Sequence, residues 1–236
     1  MLLCAGVSGE REKPAEDPDK RLALSKKNGA AEELESLVLA LGLDAHSKDP
    51  SAEHPSREDR EAYHRSAFWS WLDAQLKTAD NSIAPVPASF QSFLEKRQPT
   101  LGRVVGLLER DVPQWDSETP ANPGERPTLA LAQLARILTA AALVEERAGR
   151  HAQAGDLLEA TWSLSRSFSG QPVLLSQLMA VALGKFQAGA LRKMSEPPVQ
   201  WLDRMSGVEP WRGMLDVVEA TQPSLEAVSR SLYLPS

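Results

Sequence analysis

The chain has 236 residues, 42% of them hydrophobic and 25% charged, the profile of a soluble globular protein with room for one large or two small domains. A formal net charge of −6 and a pI near 5.4 argue against a general nucleic-acid binder, which needs a concentrated basic surface. The single cysteine, Cys4, excludes an internal disulfide and a cysteine metal site, and the scarcity of isoleucine (Ile83 and Ile137 alone) beside abundant Leu and Ala favours helices over sheets.

Met1–Gly9 is a short apolar run with small residues at its end. It reads either as a truncated export signal, placing the protein in the periplasm or envelope, or as a disordered terminus of a cytoplasmic protein. Residues 10–20 are charged and proline-bearing, so 1–20 is expected to be mobile. Residues 21–43 form a short helical segment, with a turn over 20–27 and a helix from about Ala30 to Leu41. That helix puts Ala31, Leu34, Val38 and Leu41 on one face and ends at Gly42. Residues 44–57 read as a linker, and 58–236 as a single all-α domain.

Within that domain Ser56 and Asp59 start a helix that runs to about Ala79. Tyr63, Ala67, Phe68, Trp71, Leu72 and Leu76 form its apolar face, while Trp69 points elsewhere. A short helix over 88–96 presents Phe90, Phe93 and Leu94. Pro99 breaks it and starts another, which buries Leu101, Val104, Val105 and Leu108 and ends at Pro113. Trp115 packs back on the bundle, and 116–126 is a loop.

The stretch from Pro127 to Met194 organises the chain as three helices. The first, Thr128 to Ala148, turns Leu134, Ile137, Leu138, Ala141 and Val144 inward and puts Arg136, Thr139, Leu143, Glu146 and Arg147 mostly on the other side; Gly149 stops it. The second, His151 to Phe168, buries Ala154, Leu157, Leu158, Thr161, Leu164 and Phe168, with Asp156, Glu159, Ser163 and Ser167 wet. The third, Pro172 to Arg192, is apolar nearly all round and is expected to be the most buried. Ser176, Gln177, Gly184 and Lys185 interrupt it and argue against a membrane span. Short helices at 198–205, 211–220 and 224–232, anchored by Trp201 and Trp211, bring the total to about nine.

Gly149-Arg150-His151-Ala152-Gln153-Ala154, a glycine and an alanine five apart between two amphipathic helices, resembles the turn of tetratricopeptide repeats. The resemblance covers about residues 128–168. It implies an array of antiparallel helical hairpins with a peptide- or protein-binding groove. The whole chain is also similar to uncharacterised bacterial helical proteins, which implies no activity.

No metal, cofactor or catalytic residue is assigned. His46, His54, His64 and His151 do not pair at i, i+4, and Glu61 with His64 is the one ExxH where a di-iron bundle needs two. GxSxG, HExxH, Walker and GxGxxG motifs are absent. Glu145 and Glu146 diverge by 100° and cannot share a substrate, and Glu146 reads as solvated. The tryptophans are spread out as packing anchors, and Trp162 with Arg166 offers a cation–π contact or a rim for a partner. Glu145 and Lys185 fall in the apolar faces of the first and third helices at heights about 6 Å apart, which suggests a partly buried ion pair, with snorkelling to solvent near the helix ends or a ligand-binding or catalytic role as the alternatives. Glu145, Lys185, Trp162, Arg166 and Gln177 are therefore the candidate binding residues. The favoured function is a non-enzymatic scaffold or interaction module for an unknown protein or peptide. The alternative is a ligand-binding protein or enzyme with a motif-less site inside the bundle.

Overall fold

The structure, a computed structural model, describes residues 28–43, 66–78, 81–115, 128–169 and 174–195, with Pro197, Trp201 and Arg204. Among them are six helices and no strand: α1 (Gly29–Ala40), α2 (Ser66–Lys77), α3 (Ala88–Arg110), α4 (Thr128–Arg147), α5 (His151–Ser169) and α6 (Leu174–Leu191). The all-α expectation holds there. The expected signal, linker, Tyr63 contact, Trp211 anchor and the helices at 211–220 and 224–232 lie outside the described residues, and of the one at 198–205 only Trp201, which is buried, and Arg204 are described, both helical.

Asn28 starts α1 by accepting the Ala31 N–H on its side-chain oxygen at 2.9 Å, and its amide donates to the Val112 carbonyl at 3.1 Å. One capping residue thus ties the start of α1 to the end of α3. Leu34, Leu37 and Val38 then enter the same core as α3 and α4. Trp115 docks beside them, its indole N–H on Glu35 at 2.9 Å and its ring stacked on Phe168. In α2 the buried stripe starts at Phe68, whose ring stacks on Phe90 of α3 at 4.0 Å between centroids. Ala67, expected on that face, is exposed.

The break expected at Pro99 is absent: α3 is one helix of 23 residues with Pro99 inside it. The reason is phase. Phe90, Phe93, Leu101, Val104 and Leu108 all lie on one stripe, so both halves bury against the same core only if the helix continues. Pro99 itself faces solvent, so one intrahelical bond is lost where water replaces it.

The burial ranking of the central helices is the reverse of the expectation. α4 is buried nearly all round, including Thr139 and Leu143 of its supposed outer face. In α6, Leu175 and Leu178 are 47% and 48% exposed and Val181 is half-buried. Alanines at 130, 135, 140, 141 and 142 let neighbours approach α4 from every side, whereas α6 has more apolar surface than α2, α4 and α5 cover. Of the buried hydroxyls on these helices, Thr139 bonds to the Ala135 carbonyl at 2.8 Å and Ser167, expected wet, to that of Leu164 at 2.6 Å, each on its own helix, while Ser165 donates across to the Ala180 carbonyl of α6 at 3.3 Å. α4 is also the one described helix long and apolar enough to cross a membrane, and 67% of that stretch is buried inside the bundle.

Candidate functional site

Gly149 organises the site. Its φ of +75° is the left-handed conformation expected of it. It lets the Gly149 N–H reach the Glu146 carbonyl and the Arg150 N–H reach that of Glu145, both at 2.9 Å, so the last carbonyls of α4 are satisfied while the chain reverses into α5. The reversal carries two consecutive carboxylates over the turn, each to the residue five positions on. Glu145 pairs with Arg150, and Glu146 binds Nδ1 of His151 at 2.7 Å. Because adjacent helix positions diverge, the two pairs face opposite sides of the turn.

On the first side lies a cleft of about 660 Å³ between α3 and the α4–α5 hairpin. Leu94, Leu101, Val105, Ala141, Val144 and Leu157 make its apolar floor. Glu95, Glu109, Glu145 and Asp156 stand on its rim with Arg150, alongside the amides of Gln91, Gln98 and Gln153. Gly102 and Gly106 lay bare a strip of α3 backbone along it. From Gln91 to Glu109 the α3 wall is about 27 Å long. A second hollow of about 330 Å³ under Ile83 and Val86 shares Gln91, Val144 and Arg150 with the cleft.

The second side is a buried polar clasp. Glu146, 7% exposed and not solvated as expected, accepts the Ser195 N–H and hydroxyl on Oε1 at 2.8 and 2.7 Å. Burial pushes its carboxyl up, but the hydrogen bonds from His151 and Ser195 outweigh it and hold the group below its ordinary 4.5. An ionised carboxylate only accepts, so Nδ1 of His151 carries the proton. Nearby, Lys193 is 2% exposed and donates to the Thr78 hydroxyl at 2.9 Å and the Ser82 carbonyl at 3.1 Å. Arg192 donates to the Leu76 carbonyl at 2.6 Å. These cations from the end of α6 close the C-terminus of α2, where the helix dipole favours them. The clasp borders a hollow of about 270 Å³. Its chemistry is that of a brace. The Ser195 hydroxyl is turned to the carboxylate, and the imidazole sits on the other carboxylate oxygen, so the serine and the base of a nucleophilic pair are not joined.

Of the five candidate residues, the structure brings only Glu145 to the cleft. The expected Glu145–Lys185 pair does not form: Glu145 faces α3 and takes Arg150, while Lys185 is exposed on α6. Trp162 meets Trp201 edge-on at 5.7 Å, and the guanidinium at this aromatic pair is that of Arg204, over Trp201, and not Arg166, which is exposed. Gln177 is buried and donates to the Ser169 carbonyl at 2.9 Å, bridging the ends of α5 and α6. Glu146, His151, Lys193 and Ser195 went unrecognised; Glu-Glu-x-x-Gly-Arg-His, with partners five apart around a glycine stop, was the signal for the first two. No group of three or more His, Cys, Asp or Glu among the described residues is placed to hold a metal.

No family model matches the chain, and neither does any curated protein or solved structure.

Proposed function

We propose that this protein is a non-enzymatic interaction module, an array of about nine helices in tetratricopeptide-like hairpins, that docks a polypeptide in the cleft between α3 and the α4–α5 hairpin. The observation that carries this reading is the cleft itself: an apolar floor flanked by polar side chains along a wall of about 27 Å. A wall of that length suits a chain segment better than a compact metabolite. The amides of Gln91, Gln98 and Gln153 stand where a docked backbone or side chain can meet donors and acceptors. The ionisable groups at the other side of the Gly149 turn favour a binding module too, because their hydrogen bonds hold helix ends together.

The test is a displayed peptide library panned against the whole protein, with binders mapped by methyl NMR. Shifts concentrated at Leu94, Val105, Val144 and Leu157 are expected, together with loss of binding in Val105→Arg. Binders that leave these methyls unmoved and perturb Leu175 and Leu178 instead would move the docking face to α6 and overturn the assignment.

A further inference from the structure

The rim of the cleft carries four carboxylates, Glu95, Glu109, Glu145 and Asp156, against one cation, Arg150. Arg150 is already committed to Glu145, and Glu95, Glu109 and Asp156 make no ion pair among the described residues. Three unpaired negative charges along an apolar trough set up a potential that favours a cationic occupant.

The floor adds a geometric constraint. Gly102 and Gly106 are one helical turn apart in the middle of α3, on the stretch that lines the cleft. A Cβ built on either would meet nothing within 4 Å among the described residues, so no packing among them requires glycine there. Glycine at a mid-helix position weakens a helix relative to alanine. What the two positions gain is a wall without side chains, along which a second helix axis can approach closely.

Resting on the cleft as the docking site, we propose that its occupant is a basic amphipathic helix of a partner protein. Its small and apolar residues lie against Gly102, Gly106, Val105 and Leu157, and its Lys or Arg side chains reach Glu95, Glu109 and Asp156. About 18 helical residues match the α3 wall.

The experiment titrates the full chain against a labelled designed peptide of that length, with an Ala/Leu face flanked by Lys and Arg, and against its counterpart with Glu in place of every cation. The basic peptide should bind with an affinity that falls as salt rises, and the acidic one at least about tenfold more weakly. Glu95→Lys combined with Glu109→Lys should cost about tenfold in affinity for the basic peptide. Gly102→Ala combined with Gly106→Ala should raise the Tm of the free protein and weaken binding, a pairing of signs that damage to the fold does not produce. Equal binding of the two peptides would overturn the proposal, as would undiminished binding of a basic peptide broken by two prolines. Self-association abolished by the Glu95→Lys, Glu109→Lys pair would give the cleft to a second copy and also overturn it. If library-selected ligands map to the cleft while the basic helix fails to bind, the docking site stands and its occupant is wrong; if neither binds there, both fall.

Discussion

Glu146 holds a charge in a part of α4 that water hardly reaches, and it does so because both carboxylate oxygens are engaged. Glu146→Gln keeps the shape but loses the charge-assisted bonds, and should destabilise by about 1–3 kcal/mol at neutral pH in urea unfolding. Because the folded carboxyl titrates below the ordinary 4.5, its contribution is complete above that pH and disappears as pH falls through the folded value. The gap between wild type and Glu146→Gln should therefore be widest near neutrality and close in acid. A gap that widened on acidification would contradict the assignment. The residue scale is where the sequence was hardest to read. Glu145 and Glu146 are neighbours, as are the inward and outward sectors of a helix rich in alanine. A displaced charge is easily assigned to the wrong one when the face contrast is low. The same happened among the lysines of α6 and its end: Lys185 stands in the periodic stripe yet is exposed, and Lys193, beyond the last helical residue, is the buried one.

Among the elements, α2 and α6 are joined by two features that periodicity does not reveal. Arg136 of α4 lies between the rings of Trp69 and Phe186, 4.5 and 5.3 Å from their centroids. Arg136→Met should cost about 0.5–2 kcal/mol by thermal melting, and the loss should shrink when Trp69 is already leucine. Farther along α6, a Cβ on Gly189 would fall 2.9 Å from Cδ2 and 3.1 Å from Cβ of Leu76. Gly189→Ala should destabilise by about 1–3 kcal/mol. Gly184→Ala on the same helix meets nothing within 4 Å among the described residues and should stabilise by about 0.5–1 kcal/mol. Equal effects of the two would mean that α2 and α6 are not in close contact at Gly189. Helix existence and the Gly149 stop were legible because caps and breakers act locally. The continuity of α3 through Pro99 was not, because a shared core overrode the local preference.

For the molecule as a whole, α4 is the axis, and native-state hydrogen exchange should show it. The amides of Leu134, Ala135, Ile137 and Leu138, all fully buried residues, should exchange most slowly, and those near Leu175 and Leu178 of α6 markedly faster. Equal protection would contradict the reversed burial of the two helices. The all-α class was readable from composition and period. Which helix occupies the centre was not, because an all-round apolar helix and an alanine-rich one differ in how closely neighbours approach, which no single-helix pattern records.

The capping of α2 by the end of α6 also has a consequence in time. The bond from Arg192 to the Leu76 carbonyl spans 116 residues, and that from Lys193 to Thr78 spans 115. On the ribosome, the last turn of α2 is made long before the cations that complete it. At usual synthesis rates the interval is on the order of ten seconds. During that interval Phe68 and Leu72 have Phe90 and α3 to pack on and the Thr78 hydroxyl meets the Ala74 and Gln75 carbonyls, but the Leu76 carbonyl has only water. The N-terminal half is thus born with an open seam that closes only when residue 193 has emerged.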